Sequence, residues 1–342
     1  MKVVMLSTDP TVMREGSQAY LRMREYEKLF DELHVVLVTG ILSLARSFFI
    51  CARIVKKDPK SFLVSSQEEF TGFMAMVLKW RFGVRWQAQI HTDIFSPYYG
   101  RIFFKNKLRK FVARLTLSHA SCVRVVSQRI QKSVAGQGFS APVAILPITP
   151  DLQQFSQMQL PNASDECIVL IISRLTREKN VAGAIRAFAG AQKKVPTLKL
   201  RIVGDGPERA TLEREVARLG VSRAVSFLGF QKDIKQELER ANIVFLFSWY
   251  EGFGVVVAEA MAAGRAVVMS DVGIAGDLLV NDVSGIVVNP GDESAAEAAL
   301  VRLAQDGALR ERLGKEAQKS IAALGGDNYY KKFQEVCESC MK

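Results

Sequence analysis

The sequence predicts two doubly wound α/β domains in succession, each a parallel sheet covered by helices on both faces. Three observations point there. The chain has 342 residues, too many for one ordinary core and enough for two domains of similar size. Short apolar runs alternate with segments whose apolar residues recur every three or four positions, as strands alternate with crossover helices. A polar stretch at 151–166, containing Pro161-Asn162, interrupts this alternation, which then restarts. The expected division is a first domain over 1–155 and a second over 165–327, with a last helix near 328–342 crossing back onto the first.

In the first half the apolar runs predict strands over 2–6, 33–38, 62–65, 87–91, 123–126 and 144–147. Helices fit between them near 17–30, 42–56, 72–82 and 101–117. The helix at 17–30 carries Tyr20, Met23, Tyr26, Leu29 and Phe30 at spacings of three and four, so one face is buried. In the second half strands are predicted over 167–172, 198–203, 225–227, 243–247, 266–269 and 285–288. Helices fall near 181–195, 208–219, 232–240, 255–263 and 294–304.

The polar residues with chemical potential follow these strands, where open α/β sheets bind ligands. Arg174 and Lys179 come after the strand at 167–172. Two long cations there would neutralise a diphosphate; either alone would pass for a solvated loop charge. Gly204-Asp205-Gly206-Pro207 makes a tight strand-to-helix turn. Glu251-Gly252-Phe253-Gly254 follows the strand at 243–247, and Glu259 comes eight positions after Glu251. Gly254 stands at the start of a short helix whose free N–H groups and partial positive charge suit phosphate, and Gly264 suits its C-terminal cap. Glu259 sits in an apolar helix and needs a partner, either a sugar hydroxyl or a nearby Arg. In the first half, Gly16 ends the loop after the first strand, as a phosphate-approach glycine or a plain turn. His91 ends a strand before Thr92-Asp93. His34 and His119 read as structural or exposed.

The longest apolar runs fall short of the ~20 residues that cross a bilayer. The start reads as a short strand rather than a signal peptide, because Asp9 and Arg14 follow too soon. The five cysteines are scattered, and Cys337-x-x-Cys340 lacks a second pair or a nearby His. That pair reads as partly buried helix cysteines rather than as a metal or redox site, and the protein as reduced and cytoplasmic. His-x-x-x-His, Asp-x-Asp, Gly-x-Ser-x-Gly and Gly-x-x-x-x-Gly-Lys-Ser/Thr are all missing from the sequence, so no metal site and no required cofactor are expected.

These residues resemble a known family: the retaining glycosyltransferases of the "glycosyl transferases group 1" family (family 4), whose GT-B fold is two Rossmann-like doubly wound domains facing across a cleft. The likeness covers nearly the whole chain and is strongest over about 169–292. Arg174 to Lys179 resembles the family's Arg-x-x-x-x-Lys segment, which implies a grip on the donor diphosphate. Gly204 and Gly206 match its next turn, and Leu228-Gly229-Phe230 its base-holding segment. Glu251 to Glu259 resembles its Glu-x7-Glu signature. The match implies that Glu251 contacts donor-sugar hydroxyls beside Gly252 and Phe253, that Gly254 and Val255 offer N–H groups to phosphate, and that Glu259 contacts the ribose. His91 resembles the family's histidine near the reacting sugar. Gly16 resembles its N-terminal loop glycine, although Glu15 stands where a second glycine is frequent. Thr149-Pro150 replaces an Asn-Gly, Arg265-Ala266 a Gly-Pro and Asp277 a Glu.

The resemblance implies transfer of a sugar from a UDP- or GDP-linked donor to a hydroxyl of a glycan or lipid-linked acceptor, with retention at the anomeric carbon, in cell-surface polysaccharide synthesis. An epimerase or a glycan phosphorylase on the same fold is the alternative. A nucleic-acid module is disfavoured despite a pI near 9.5, because aromatics are not interleaved with the basic run as stacking platforms.

That basic run is the other unusual feature. From Ile94 to Pro150 there are nine Lys/Arg and no Asp or Glu, which accounts for most of the net charge of +11. Over 101–117 the residues Phe104, Leu108, Phe111, Val112 and Leu115 form a stripe, with Lys105, Lys107, Arg109, Lys110 and Arg114 on other faces. Either the stripe packs on the first sheet, or it contacts an anionic membrane at the inner face of the plasma membrane. Phe48, Phe49 and Ile50 on the helix at 42–56 could assist such a contact, but a core role is the expectation.

Overall fold

The computed structural model describes residues 1–67, 70–159, 166–322, 324 and 328–342. Pro161-Asn162, part of the expected linker, lies outside the described residues. The chain divides into two units, Met1–Pro147 with Gly326–Lys342, and Ile148–Gly325.

The first unit is a six-stranded parallel sheet of β1 (Lys2–Ser7), β2 (Glu32–Leu37), β3 (Phe62–Gln67), β4 (Arg85–Ile90), β5 (Cys122–Val125) and β6 (Val143–Ile145), in the order β2-β1-β3-β4-β5-β6. Its helices are α1 (Gln18–Glu27), α2 (Ile41–Val55), α3 (Phe70–Phe82), α4 (Tyr99–Ile102), α5 (Lys105–Leu117) and α6 (Gln128–Ala135). The second unit starts with α7 (Gln153–Ser156), one turn inside the stretch read as linker. Its strands are β7 (Cys167–Ile172), β8 (Leu198–Val203), β9 (Val225–Gly229), β10 (Ile243–Leu246), β11 (Ala266–Ser270) and β12 (Ile286–Val288), in the order β12-β11-β10-β7-β8-β9. α8 (Val181–Lys194), α9 (Arg209–Arg218), α10 (Lys235–Arg240), α11 (Val255–Ala262), α12 (Glu293–Gln305) and α13 (Gly307–Ala322) connect and cover them. Two all-parallel sheets interleaved with helices are the predicted α/β class.

Strands of the second sheet read as unbroken apolar runs because both faces are covered. Val169, Leu170, Val244, Phe245, Val267 and Val268 are all at most 1 % exposed. Arg265, in place of the anticipated Gly-Pro, is itself buried, and its guanidinium donates to the Leu238 carbonyl (2.8 Å) and the Gln159 carbonyl (2.6 Å).

The last helix, α14 (Asn328–Met341), packs in the first unit. Phe333 is fully buried, stacks on Tyr26 with centroids 4.3 Å apart, and lies under the Arg124 guanidinium at 5.3 Å. The cysteines depart from expectation. Cys340 on α14 forms a disulfide with Cys122 on β5, 218 positions earlier. Cys51, Cys167 and Cys337 are free and buried.

Three further readings are corrected. The helix expected over 101–117 is two pieces, α4 and α5, separated at Phe103-Phe104. Its stripe faces outward: Phe104 is 84 % and Phe111 66 % exposed, while the smaller Asn106, Ala113 and Thr116 face the interior with Leu117. Phe49 and Ile50 on α2 are exposed rather than core residues. Besides the single turn of α7, two helices were not anticipated, α6 and α13, although Ser127 and Asp306 cap them by accepting from Ile130 N (3.3 Å) and Leu309 N (2.8 Å). Among the described residues no helix is long and apolar enough to cross a membrane.

Because Phe333 is enclosed on all sides, Phe333→Ala should destabilise the unit that holds α14 by about 3–5 kcal/mol. Urea unfolding of the variant, followed by circular dichroism, checks this; a loss below about 1 kcal/mol would mean that α14 is not docked as described.

Candidate active site

In the second sheet the chain starts at β7, winds outward through β8 and β9, then returns to the other side of β7 for β10, β11 and β12. The reversal puts β7 and β10 side by side, with Ile243 opposite Val169 and Val244 opposite Leu170. Loops leaving adjacent parallel strands on opposite sides diverge there and leave a crevice at the C-terminal edge. The β7–α8 loop carries Arg174 and Lys179; the β10–α11 loop carries Glu251 to Gly254.

The two loops are joined. Lys179 Nζ donates to Glu251 Oε1 at 2.5 Å, with side chains 17 % and 11 % exposed. Ser248 Oγ donates to the same oxygen at 2.8 Å. Ser248 is fully buried, and its carbonyl accepts from Ser270 Oγ on β11 (2.7 Å). Trp249 N donates to the Glu178 carbonyl (2.9 Å), tying the backbones of the two loops together. Glu178 also accepts from Thr176 Oγ1 (2.7 Å) and from Arg174 (3.3 Å). Arg174 is 74 % exposed, so the two predicted cations differ: Lys179 is held and Arg174 stands in solvent at the rim. Sequence reasoning missed Ser248 and Glu178. Only their positions beside Glu251 and Lys179 could have flagged them.

The next loop closes on the first. Gly204 has φ +130, and a Cβ there would lie 1.8 Å from the Ser173 carbonyl, so the β8–α9 turn can lie against Ser173–Leu175 only without a side chain. Leu175 N donates to the Asp205 carbonyl (2.9 Å), and Gly206 N to Asp205 Oδ1 (2.7 Å). Ser173 Oγ and Asn180 Nδ2 are buried without a partner, two polar atoms in the segment that also bears Arg174 and Lys179. At the end of β9, Gly204 N binds the Gly229 carbonyl (2.8 Å), and Phe230 next to it is 78 % exposed.

α11 begins at Gly254, in the left-handed region at φ +90. Its first N–H groups have no intrahelical acceptors, and no side chain caps them. The helix is apolar nearly all round, and Val257, Ala258, Ala260 and Met261 are enclosed. Val255, Val256 and Glu259 are its less buried edge. Glu259 therefore stands on the side of the free N-terminus. No arginine or hydroxyl meets its carboxyl among the described residues, and burial pushes its pKa up to about 7. Of the two partners considered for it, the Arg is not there.

Gly16 and His91 belong to the first unit. Gly16 has φ +75 directly before Ser17, which caps α1 by accepting from Tyr20 N (3.0 Å). His91 follows β4. Its Nε2 lies 3.2 Å from Gln89 Oε1, which also accepts from Arg124 (3.2 Å). Burial first, then the charges of Arg124 and Arg22, lower its pKa to about 3, so the imidazole is neutral near pH 7.

Residues 153–320 match the family described as glycosyl transferases group 1, and residues 19–149 match a glycosyl transferase 4-like domain. The chain belongs to the group 1 glycosyltransferase family. An uncharacterized glycosyltransferase of Methanocaldococcus jannaschii is 34 % identical over 52 % of this chain and 46 % of its own length. This chain thus spans about half the length of the curated relatives it matches. The fold follows sucrose-phosphate synthase from Thermosynechococcus elongatus (TM-score 0.80, 21 % identity, 99 % and 98 % of the two chains). It also follows Anabaena HepE, solved in complex with UDP-glucose (TM-score 0.77, 22 % identity, 99 % of each chain).

Glu259 gives a test. Its ordinary value is 4.5 and its folded value about 7, so the folded state holds the proton to higher pH than the unfolded chain. The site costs nothing below the unfolded value and loses stability as pH rises through the folded one. Glu259→Gln should therefore raise Tm by about 3 °C or more at pH 8 and leave it unchanged near pH 4. Equal Tm values for wild type and variant at pH 8 in a thermal-shift series would contradict this environment.

Proposed function

We propose that this protein transfers a sugar from a UDP- or GDP-linked donor to a hydroxyl of a glycan or lipid-linked acceptor, with retention at the anomeric carbon, in cell-surface polysaccharide synthesis. The observation that carries the reading is the Lys179–Glu251 pair, set beside the uncapped N-terminus of α11 where β7 and β10 diverge. A diphosphate in that crevice meets positive charge from two directions, the Lys179 ammonium and the helix N-terminus. The UDP-glucose named with Anabaena HepE is a donor of this class.

The chemistry follows from the charges. When the glycosidic bond to the diphosphate breaks, negative charge gathers on the leaving phosphate. Lys179, Arg174 and the N–H groups of Gly254 and Val255 stabilise it as it develops. Arg174 comes in from solvent, exchanging Glu178 for a phosphate oxygen. Glu251 Oε1 is engaged by Lys179 and Ser248, which leaves Oε2 to accept from donor-sugar hydroxyls. Glu259 accepts from the ribose. The acceptor hydroxyl attacks on the face the diphosphate leaves and passes its proton to a phosphate oxygen, so no carboxylate acts as covalent nucleophile. Neutral His91 donates from Nε2 to Gln89 Oε1, which leaves Nδ1 to accept from a sugar hydroxyl. The reading requires no metal, since fixed cations supply the charge.

Incubation with UDP-, GDP- and ADP-sugars and hydroxyl acceptors, followed by NMR of the product, tests this. One donor should be consumed only with an acceptor, in the presence of EDTA, giving a product of the donor's anomeric configuration. Lys179→Ala and Arg174→Ala should each lower turnover more than about tenfold. Consumption of a nucleotide sugar without acceptor, or only with inorganic phosphate, would overturn the proposal, as would wild-type turnover in both variants.

A further inference from the structure

We propose that α2, α3 and α5 together form a docking face for an anionic lipid bilayer, a surface separate from the donor site of the second unit. The three helices are neighbours on one side of the first sheet, α3 packing against both α2 and α5. Each turns large apolar side chains outward. On α5 and its N-cap these are Phe104, Leu108 and Phe111, 84 %, 62 % and 66 % exposed. On α3 they include Phe73 and Trp80, 44 % and 60 % exposed, and on α2 Phe49 at 71 %. These residues do not hold the domain together, because each helix buries a different face: Ala113, Thr116 and Leu117 on α5, Met74, Ala75 and Leu78 on α3, Cys51 and Val55 on α2. The surface is continuous at the seam, where the Trp80 ring meets the His119 ring edge-on at 4.9 Å and Lys79 Nζ donates to the His119 carbonyl (2.7 Å).

Charge identifies the occupant. The three helices carry nine Lys/Arg, two on α2, two on α3 and five on α5, and no Asp or Glu. A second copy meeting this face across a two-fold axis would set like charges against each other. A bilayer rich in acidic headgroups offers the complement, with phosphates for the cations and acyl chains for the rings. The cations stand at the level of the rings, as such a boundary requires: Lys107 Nζ is 5.4 Å above the Phe104 ring, and Lys105 Nζ 5.4 Å above the Phe103 ring. Trp80 and the phenylalanines are the side chains that anchor at a membrane–water interface. With no helix among the described residues fit to span a bilayer, the contact is interfacial.

Co-sedimentation of the full chain with phosphatidylcholine vesicles, with and without about 30 % phosphatidylglycerol, tests the proposal. The protein should bind the anionic vesicles about tenfold or more better than the neutral ones, and lose them as salt rises. Of the three tryptophans, Trp86 is fully buried and Trp249 belongs to the β10–α11 loop of the second unit, so a vesicle-induced shift of the emission maximum to shorter wavelength should come from Trp80, and Trp80→Phe should remove it. Phe104→Ser/Phe111→Ser and Lys105→Glu/Lys107→Glu should each weaken vesicle binding about tenfold or more, with Tm and nucleotide binding unchanged, because all four side chains lie outside the core. Absence of binding to anionic vesicles at low salt, or binding unaffected by both double variants, would overturn it. So would a dimer that these variants dissociate, or a nucleic-acid shift in place of vesicle binding. Nucleotide binding is read on the same samples, so failure of the membrane face and failure of the donor site are distinguishable.

Discussion

The ion pair between Lys179 and Glu251 is the contact on which the candidate site depends. It bridges the loops that leave β7 and β10, the adjacent strands whose connections run in opposite directions. Removing either partner would leave a mostly enclosed charge without its counter-ion, which costs far more than a surface pair contributes. The pair therefore fixes the separation of the loops as well as the local charge. Ser248, anchored through its carbonyl by Ser270, holds Glu251 from the other side. The Gly204 turn closes against Ser173 in a space too small for a Cβ. Rigid backbone thus frames a small set of polar atoms, while Arg174 and Phe230 remain at the surface, free to turn toward a ligand.

Two titratable groups are shifted away from their ordinary values in ways that fit the roles proposed for them. Glu259 is raised because α11 places a carboxyl among apolar side chains with no protein partner among the described residues. A group left in that state retains its hydrogen-bonding capacity for something else. His91 is lowered first by burial of its imidazole, and then by the charge of Arg124, itself enclosed between Gln89, Tyr329 and the Phe333 ring. A neutral imidazole is a hydrogen-bond donor or acceptor rather than a cation. Tyr329 and Phe333 come from α14, so the last helix also braces the strand end that carries His91.

Much of this was legible in the sequence because it depends on local order. Apolar runs of strand length followed by helix-period segments pointed to both sheets, and glycines and charges just after strands pointed to the loops that meet at the candidate site. What was hidden depends on contacts remote in sequence. The Cys122–Cys340 disulfide joins positions more than two hundred residues apart, and no spacing rule connects them. The stripe on α5 was visible, but periodicity shows only that a helix has an apolar face. Which face meets the sheet was decided by the small Ala113 and Thr116, whose size lets the backbone approach closely while the larger rings point outward. Ser248 and Glu178 carry no motif and matter only through what they touch.

The central claim is that the uncapped start of α11 and the β7–α8 loop receive a nucleotide diphosphate. Hydrogen exchange of the backbone amides with and without UDP or GDP tests it most directly. The account predicts slowed exchange at Val255 and Val256, whose N–H groups have no acceptor within the helix, together with residues 173–179. Nucleotide binding that leaves those amides unprotected, with protection elsewhere in the chain, would contradict it.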